Sequence, residues 1–188
     1  MKKIFLILFL VLLCGCISRP KNFTYYYEGK NTGLDRLINI NGYYVSERGC
    51  DSAFYTMYMF YADGLFTIAT TSRISPELID CFEKGGNTSI CKYPQWGVYT
   101  LDGDSIIRTQ TIGLEGTGLT YFRDYKILAD GGILNISDYI EPEYSNLGYM
   151  KDYPSYKENG CGIAAEFYPL PSKRDSVSNV VFKQLLSK

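Results

Sequence analysis

The side chains able to do chemistry in this 188-residue chain are defined first by an absence: it contains no His. That removes the commonest general base and the commonest metal ligand, and with them Ser-His-Asp hydrolysis and His-ligated zinc. No Ser lies in a G-x-S-x-G elbow, and no P-loop occurs. The glycine-rich run Gly113 to Gly118 (GLEGTG) lies between extended segments, with no following helix to offer its dipole to a phosphate. Asp102 and Asp104 are neighbouring carboxylates, but Asp63, Asp102 and Asp130 each precede a Gly, and turn chemistry accounts for all three. No catalytic residue, metal ligand or cofactor is therefore assigned, and the expectation is a protein that is not an enzyme.

The cysteines say more. Cys14 and Cys16 close an N-terminal leader, and Cys50, Cys81, Cys91 and Cys161 follow it. An even count in an exported chain favours two disulfides, with three pairings open. Cys81 and Cys91 flank a short Gly-rich loop, which makes them the favoured local pair and leaves Cys50 for Cys161. Four thiolates on a metal are the alternative, but no C-x-x-C knuckle is present.

Tyrosine is the one compositional excess: 18 Tyr against a single Trp. Its apolar ring and polar tip suit sugar stacking and protein interfaces. Trp96, Tyr99 and Tyr121 fall on extended segments, where they equally suit the wall of a sheet. Tyr144, Tyr149, Tyr153 and Tyr156 crowd one polar, Pro-bearing stretch, Glu141 to Gly160, that reads as a long loop. These seven are the candidate binding residues.

The elements that must position them are organised around Gln95 to Ile112. Two β-prone segments flank Asp102-Gly103 there, a dipeptide suited to the positive φ of a tight hairpin. Asp63-Gly64 and Asp130-Gly131 repeat the device, so three hairpins in a row predict an antiparallel meander. Strands are expected at Asn41–Glu47, Ala53–Tyr61, Leu65–Thr71, on both sides of Asp102-Gly103, and at Leu119–Leu128 and Ile133–Ile140. A mostly buried last strand is expected at Cys161–Tyr168, stopped by Pro169 and Pro171. Leu34 to Ile38 reads as a short helical turn. The second strand is apolar on both faces, which requires cover on both sides or leaves an aromatic patch. Ser72 to Pro94 interrupts the meander with a helix start at Ser75-Pro76-Glu77, and Val177, Val180, Val181 and Leu185 suggest a C-terminal helix.

The leader is Lys2-Lys3, the apolar run Ile4 to Leu13, then Leu13-Cys14-Gly15-Cys16. The run is too short to span a bilayer and suits a signal peptide, residues 1–15. Residues 13–16 resemble the bacterial lipobox, which implies acylation of Cys16 and a membrane bound through its lipid. Residues 16–33 are then a lipidated N-terminus and tether, with Tyr25, Tyr26 and Tyr27 at the bilayer interface or packed on the domain's rim. A single domain fills residues 34–188. Without Lys2 and Lys3 the chain has 17 basic and 20 acidic residues, a net charge of −3, and no basic stripe, so nucleic acid is not an expected partner.

Several short motifs together resemble the lipocalin-like lipoproteins common in Bacteroidetes. Gly42-Tyr43-Tyr44 stands where their first strand carries Gly-x-Trp. FYADGLF matches their Phe-plus-DG hairpin, WGVYTLDGDSI their W-x-x-Y-x-x-x-G-D-x-I strand pair, and FYPLPSKRDSVSN the run before their C-terminal helix. The resemblance spans about Leu37 to Leu186. It implies an all-β domain, an antiparallel meander closing into a lipocalin-like barrel of about eight strands, with a short helical insertion and a C-terminal helix. The functional expectation is a membrane-anchored binding protein with a small apolar or glycan-like ligand in the barrel mouth near Ser72–Pro94. The alternative is an envelope protein that docks a protein partner through its Tyr-rich loop. No acidic export signal follows Cys16, so the periplasmic face of the outer membrane is the expected address.

Overall fold

The computed structural model describes residues 23–47, 55–71, 95–112, 120–140, 157–158, 164–171 and 173. They form one antiparallel sheet: β1 (Gly42–Glu47), β2 (Tyr55–Phe60), β3 (Leu65–Thr71), β4 (Gln95–Asp102), β5 (Ile106–Ile112), β6 (Thr120–Ile127), β7 (Ile133–Ile140), β8 (Lys157–Glu158) and β9 (Glu166–Pro169). The spatial order is β8-β7-β6-β5-β4-β3-β2-β1-β9, so β1 to β7 form an uninterrupted meander. The three Asp-Gly turns lie where the dipeptides placed them, with Gly64, Gly103 and Gly131 at φ of 93°, 60° and 80°. Positive φ is the conformation that glycine adopts without a Cβ penalty.

The sheet is strongly curled. The rings of Tyr58 on β2 and Tyr125 on β6, four strands apart, have centroids 5.0 Å from each other, and Phe60 lies 5.9 Å from the same Tyr125. At the far ends the curl brings the chain before β9 back to β7: the Ala165 N–H donates to the Ile133 carbonyl at 2.7 Å. β9 then pairs with β1 from Gly42↔Pro169 to Val45↔Glu166. A bulge between Asp124 and Tyr125 leaves Ile136 of β7 without a partner in the register and adds to the bend.

Each face carries its own core. The concave face gathers Tyr44, Tyr58, Phe60, Phe66, Ile68, Tyr99, Ile107, Tyr125, Ile133 and Ala165, closed by Leu34 of a 3₁₀ turn, Leu34–Arg36, and by Ile38 just after it. The convex face of β1–β4 gathers Tyr43, Val45, Met57, Met59, Tyr61, Leu65, Trp96 and Val98. Strict alternation with apolar residues at both parities demanded cover on both sides, and the outer cover is the N-terminal segment. Phe23 is buried there at 1% exposure, with Tyr25 and Tyr27 packed beside it and Leu170 at its edge. The segment expected as a tether is thus, from Phe23 onward, a strap laid on the sheet.

The last strand departs from its expected form. Within Cys161–Tyr168, Ala164 lies outside the strand, Ala165 makes its single bridge, and β9 runs on through Pro169, its final residue. It is also half-exposed rather than buried, because only β1 pairs along it. The stretch expected to be loop, Glu141 to Gly160, contributes the two-residue β8 against Ser137 and Asp138. The Ser72–Pro94 insertion and the C-terminal helix lie outside the described residues.

Candidate functional site: the polar half of the concave face

Alternation and register divide the concave face into two halves. Toward the turns at 61–64, 102–105 and 128–132 it is filled by the protein's own rings. Phe60 is the hub, with Tyr44, Tyr58, Phe66, Tyr99 and Tyr125 all within 6.4 Å centroid to centroid. Such pairs contribute about 0.5–1.5 kcal/mol each beyond the area they bury. The 3₁₀ turn plugs this end. Thr32 shares a 2.7 Å hydrogen bond with the Tyr99 hydroxyl, which donates to the Tyr61 carbonyl at 2.6 Å. Thr32 N–H donates in turn to the Ala62 carbonyl, so plug, β4 and the β2–β3 turn are tied at one point.

Toward the opposite ends of the strands the same face becomes polar. Ser46↔Thr56, Tyr99↔Thr109, Gly97↔Thr111 and Thr109↔Arg123 continue the inward rows. Ser46, Thr56, Thr109, Thr111 and Arg123 are all buried. The Tyr58 hydroxyl donates to Ser46 Oγ, and Thr109 Oγ1 donates to the Arg123 carbonyl at 2.9 Å. Burial raises the Tyr58 phenol well above its ordinary range, partly opposed by the Ser46 hydrogen bond and by the positive charge of Arg123. Arg123 also approaches the Tyr121 ring, 6.0 Å from its centroid. Thr111 Oγ1, in a residue with no exposed surface, has no hydrogen-bond partner among the described residues. A buried polar atom in that state costs about 1–3 kcal/mol unless something meets it.

The candidate binding residues separate accordingly. Tyr121 shares the inward face of the polar half, being the register partner of Thr111. Tyr99 is inward too but belongs to the closed aromatic end, where its hydroxyl holds the plug. Trp96 faces outward, stacked on Tyr61 at 5.7 Å beneath the strap. Tyr144, Tyr149, Tyr153 and Tyr156 lie outside the described residues, as do Cys16, Cys50, Cys81, Cys91 and Cys161. Sequence reading passed over Arg123, Ser46, Thr56, Thr109 and Thr111. Their signal was only partial: hairpin register puts Thr109, Thr111 and Arg123 on one parity, but the sequence does not say that this parity faces inward.

The carboxylates Asp102 and Asp124 meet on the outside. Arg108 joins them, with Nη2 2.8 Å from Asp102 Oδ2 and Nη1 3.2 Å from Asp124 Oδ2. Partial burial raises the Asp124 carboxyl, and Arg108 opposes that rise. This is a surface ion-pair cluster astride the β4–β5 hairpin and β6, a geometry worth a fraction of a kcal/mol per exposed pair, about 0–1.

No protein-family model, no characterised protein and no solved structure matches this chain.

Proposed function

We propose that this chain is a lipid-anchored, non-catalytic binding protein whose barrel takes a small hydroxyl-bearing, glycan-like ligand in the polar half of its interior. The observation that carries this reading is the division of the concave face. The aromatic half is filled by the protein's own rings, whereas the other half presents buried hydroxyls, a guanidinium and the unsatisfied Thr111 Oγ1. Hydroxyls and a guanidinium are complementary to a polyol or a sugar acid and poorly matched to an alkyl chain. Of the two ligand chemistries expected from sequence, the glycan-like one is therefore preferred. The curl and the Ala165–Ile133 bridge support closure into a lipocalin-like barrel, with the mouth at the end where β1, β3 and β5 finish and β2, β4 and β6 begin.

The remaining parts of the reading rest on the sequence: signal peptide 1–15, acylation of Cys16, disulfides among Cys50, Cys81, Cys91 and Cys161, and a place on the periplasmic face of the outer membrane.

Native mass spectrometry of the lipid-free domain from its own periplasm tests the binding role. A discrete bound mass, lost on denaturation and reduced at least tenfold in occupancy in Arg123→Gln, is expected. A clean apo mass for the folded wild type overturns the reading and shifts attention to docking of a protein partner. The same spectrum with and without reductant counts the disulfides.

A further inference from the structure

The strap is fixed along its length. The Gln110 carboxamide oxygen accepts from the N–H of Thr24 at 2.8 Å and of Tyr25 at 2.9 Å, and its Nε2 donates to Thr24 Oγ1 at 2.8 Å. Further on, the Tyr27 hydroxyl donates to Asp63 Oδ2 at 2.9 Å. Phe23 is inserted in the outer core. Only residues 17–22 separate Phe23 from Cys16, and whatever course they take, the two Cα atoms stand at most ~25 Å apart. That stretch carries Arg19 and Lys21, both basic. Tyr26, at 36%, is the exposed large hydrophobic side chain among the described residues, and it sits on the strap.

We propose that the strap-covered wall, β1–β4 and the adjoining Gln110 of β5 with residues 23–27 laid over them, is the membrane-facing side of the domain and rests on phospholipid headgroups with Tyr26 at the interface. The proposal rests on the acylation of Cys16 stated above. A chain that leaves the lipid and is pinned within seven residues to one wall holds that wall to the bilayer, and an amphipathic ring on the same strap suits the headgroup layer. The two basic residues between anchor and strap add attraction to anionic lipid. The contact between Tyr58 of β2 and Tyr125 of β6 sets β6 across the interior from β2, and the exposed Lys126 of β6 alternates away from the interior, two strands beyond β4.

The test uses the full acylated chain on phosphatidylcholine–phosphatidylglycerol vesicles containing a headgroup-nitroxide lipid. Trp96 is the single native Trp, so Trp96→Phe provides a dark background for a probe on either wall. Tyr26→Trp in that background should be quenched several-fold more strongly than Lys126→Trp. Equal quenching, or the reverse order, in a chain whose intact mass includes the acyl groups overturns the orientation while leaving the anchor intact. A mature chain without acyl mass at Cys16 overturns the anchor and the orientation together. If Tyr26→Trp fails to fold, native Trp96 beneath the strap replaces it as the near-wall probe, with the same expected order.

Discussion

Gln110 shows how much one side chain can decide. It lies outward on β5, 1% exposed, and its single carboxamide satisfies two strap N–H groups and one hydroxyl. Gln110→Leu keeps the volume and abandons those bonds, so two N–H groups lose their acceptor in a part-buried site. The expected loss is about 2–3 kcal/mol by urea denaturation, with amide exchange at Thr24 and Tyr25 accelerating well before global unfolding. An unchanged exchange rate at those two amides would show that Gln110 does not hold the strap. Nothing in the local sequence announced this role, because Gln in a Thr-rich strand reads as a solvated position. The partner is 86 residues away in the chain, and a long-range polar contact leaves no periodic trace. Phe23 was equally hidden, since an aperiodic, Pro- and Asn-bearing stretch reads as linker, and packing on the rim was open only for the Tyr25 to Tyr27 triplet beside it.

Elements were far more legible than sites. β3 and β7 have the bounds expected of them, and the three Asp-Gly dipeptides place their hairpins, because turn chemistry and period-two patterning are local properties. What alternation alone cannot say is which parity faces the concave side. The curl decides that, and curl depends on packing among distant strands. Gly97 marks one place where it is set. A Cβ there would stand 2.2 Å from the Gln110 carbonyl and 2.4 Å from a Phe66 ring carbon, so the bare backbone lets Phe66 lie over β4. Gly97→Ala must push β4 from β5 or displace Phe66, which itself stacks on Phe60 at 5.9 Å. A loss of about 1–3 kcal/mol is expected in a thermal melt. A neutral result would mean that the β4–β5 spacing yields easily. The last strand was misplaced for a related reason: β9 is specified by its pairing with β1 rather than by burial, and its residues are half-exposed.

The whole molecule responds to alkali through groups its fold has buried. Burial raises the Tyr44 phenol to about 12, against the carbonyl hydrogen bond that holds it, and pushes Tyr58 and Tyr99 above the ordinary range as well. Unfolded tyrosine ionises near pH 10, so above that pH the unfolded chain releases protons that the native one keeps, and stability falls as pH rises. Tyr44 alone costs about 2–3 kcal/mol once fully ionised. Lys173 acts with the opposite sign. Its ammonium donates to the Ile40 and Phe60 carbonyls and lies 4.5 Å over the Tyr61 ring, and burial lowers its pKa to about 8 from 10.5. Between those values the unfolded chain holds more protons, so stability rises with pH. Urea midpoints should climb gently from pH 8 to 10 and drop steeply beyond. In Lys173→Met the climb should vanish while the drop persists. A climb that survives that substitution would assign it to another group.

The single bridge from Ala165 to Ile133, and the pairing of β1 with β9, bear on the order of events when the chain is made. β1 meets β2 through a short connection, but its other edge waits for residues 166–169, more than a hundred positions downstream. Until those residues arrive, a strand reading Gly42-Tyr43-Tyr44-Val45 offers unpaired N–H and C=O groups along an aromatic edge, the kind of surface that recruits other chains. Closure of such a distant pair is slow relative to the local hairpins. Truncation before Glu166 should therefore yield oligomers and aggregates rather than a shorter monomer.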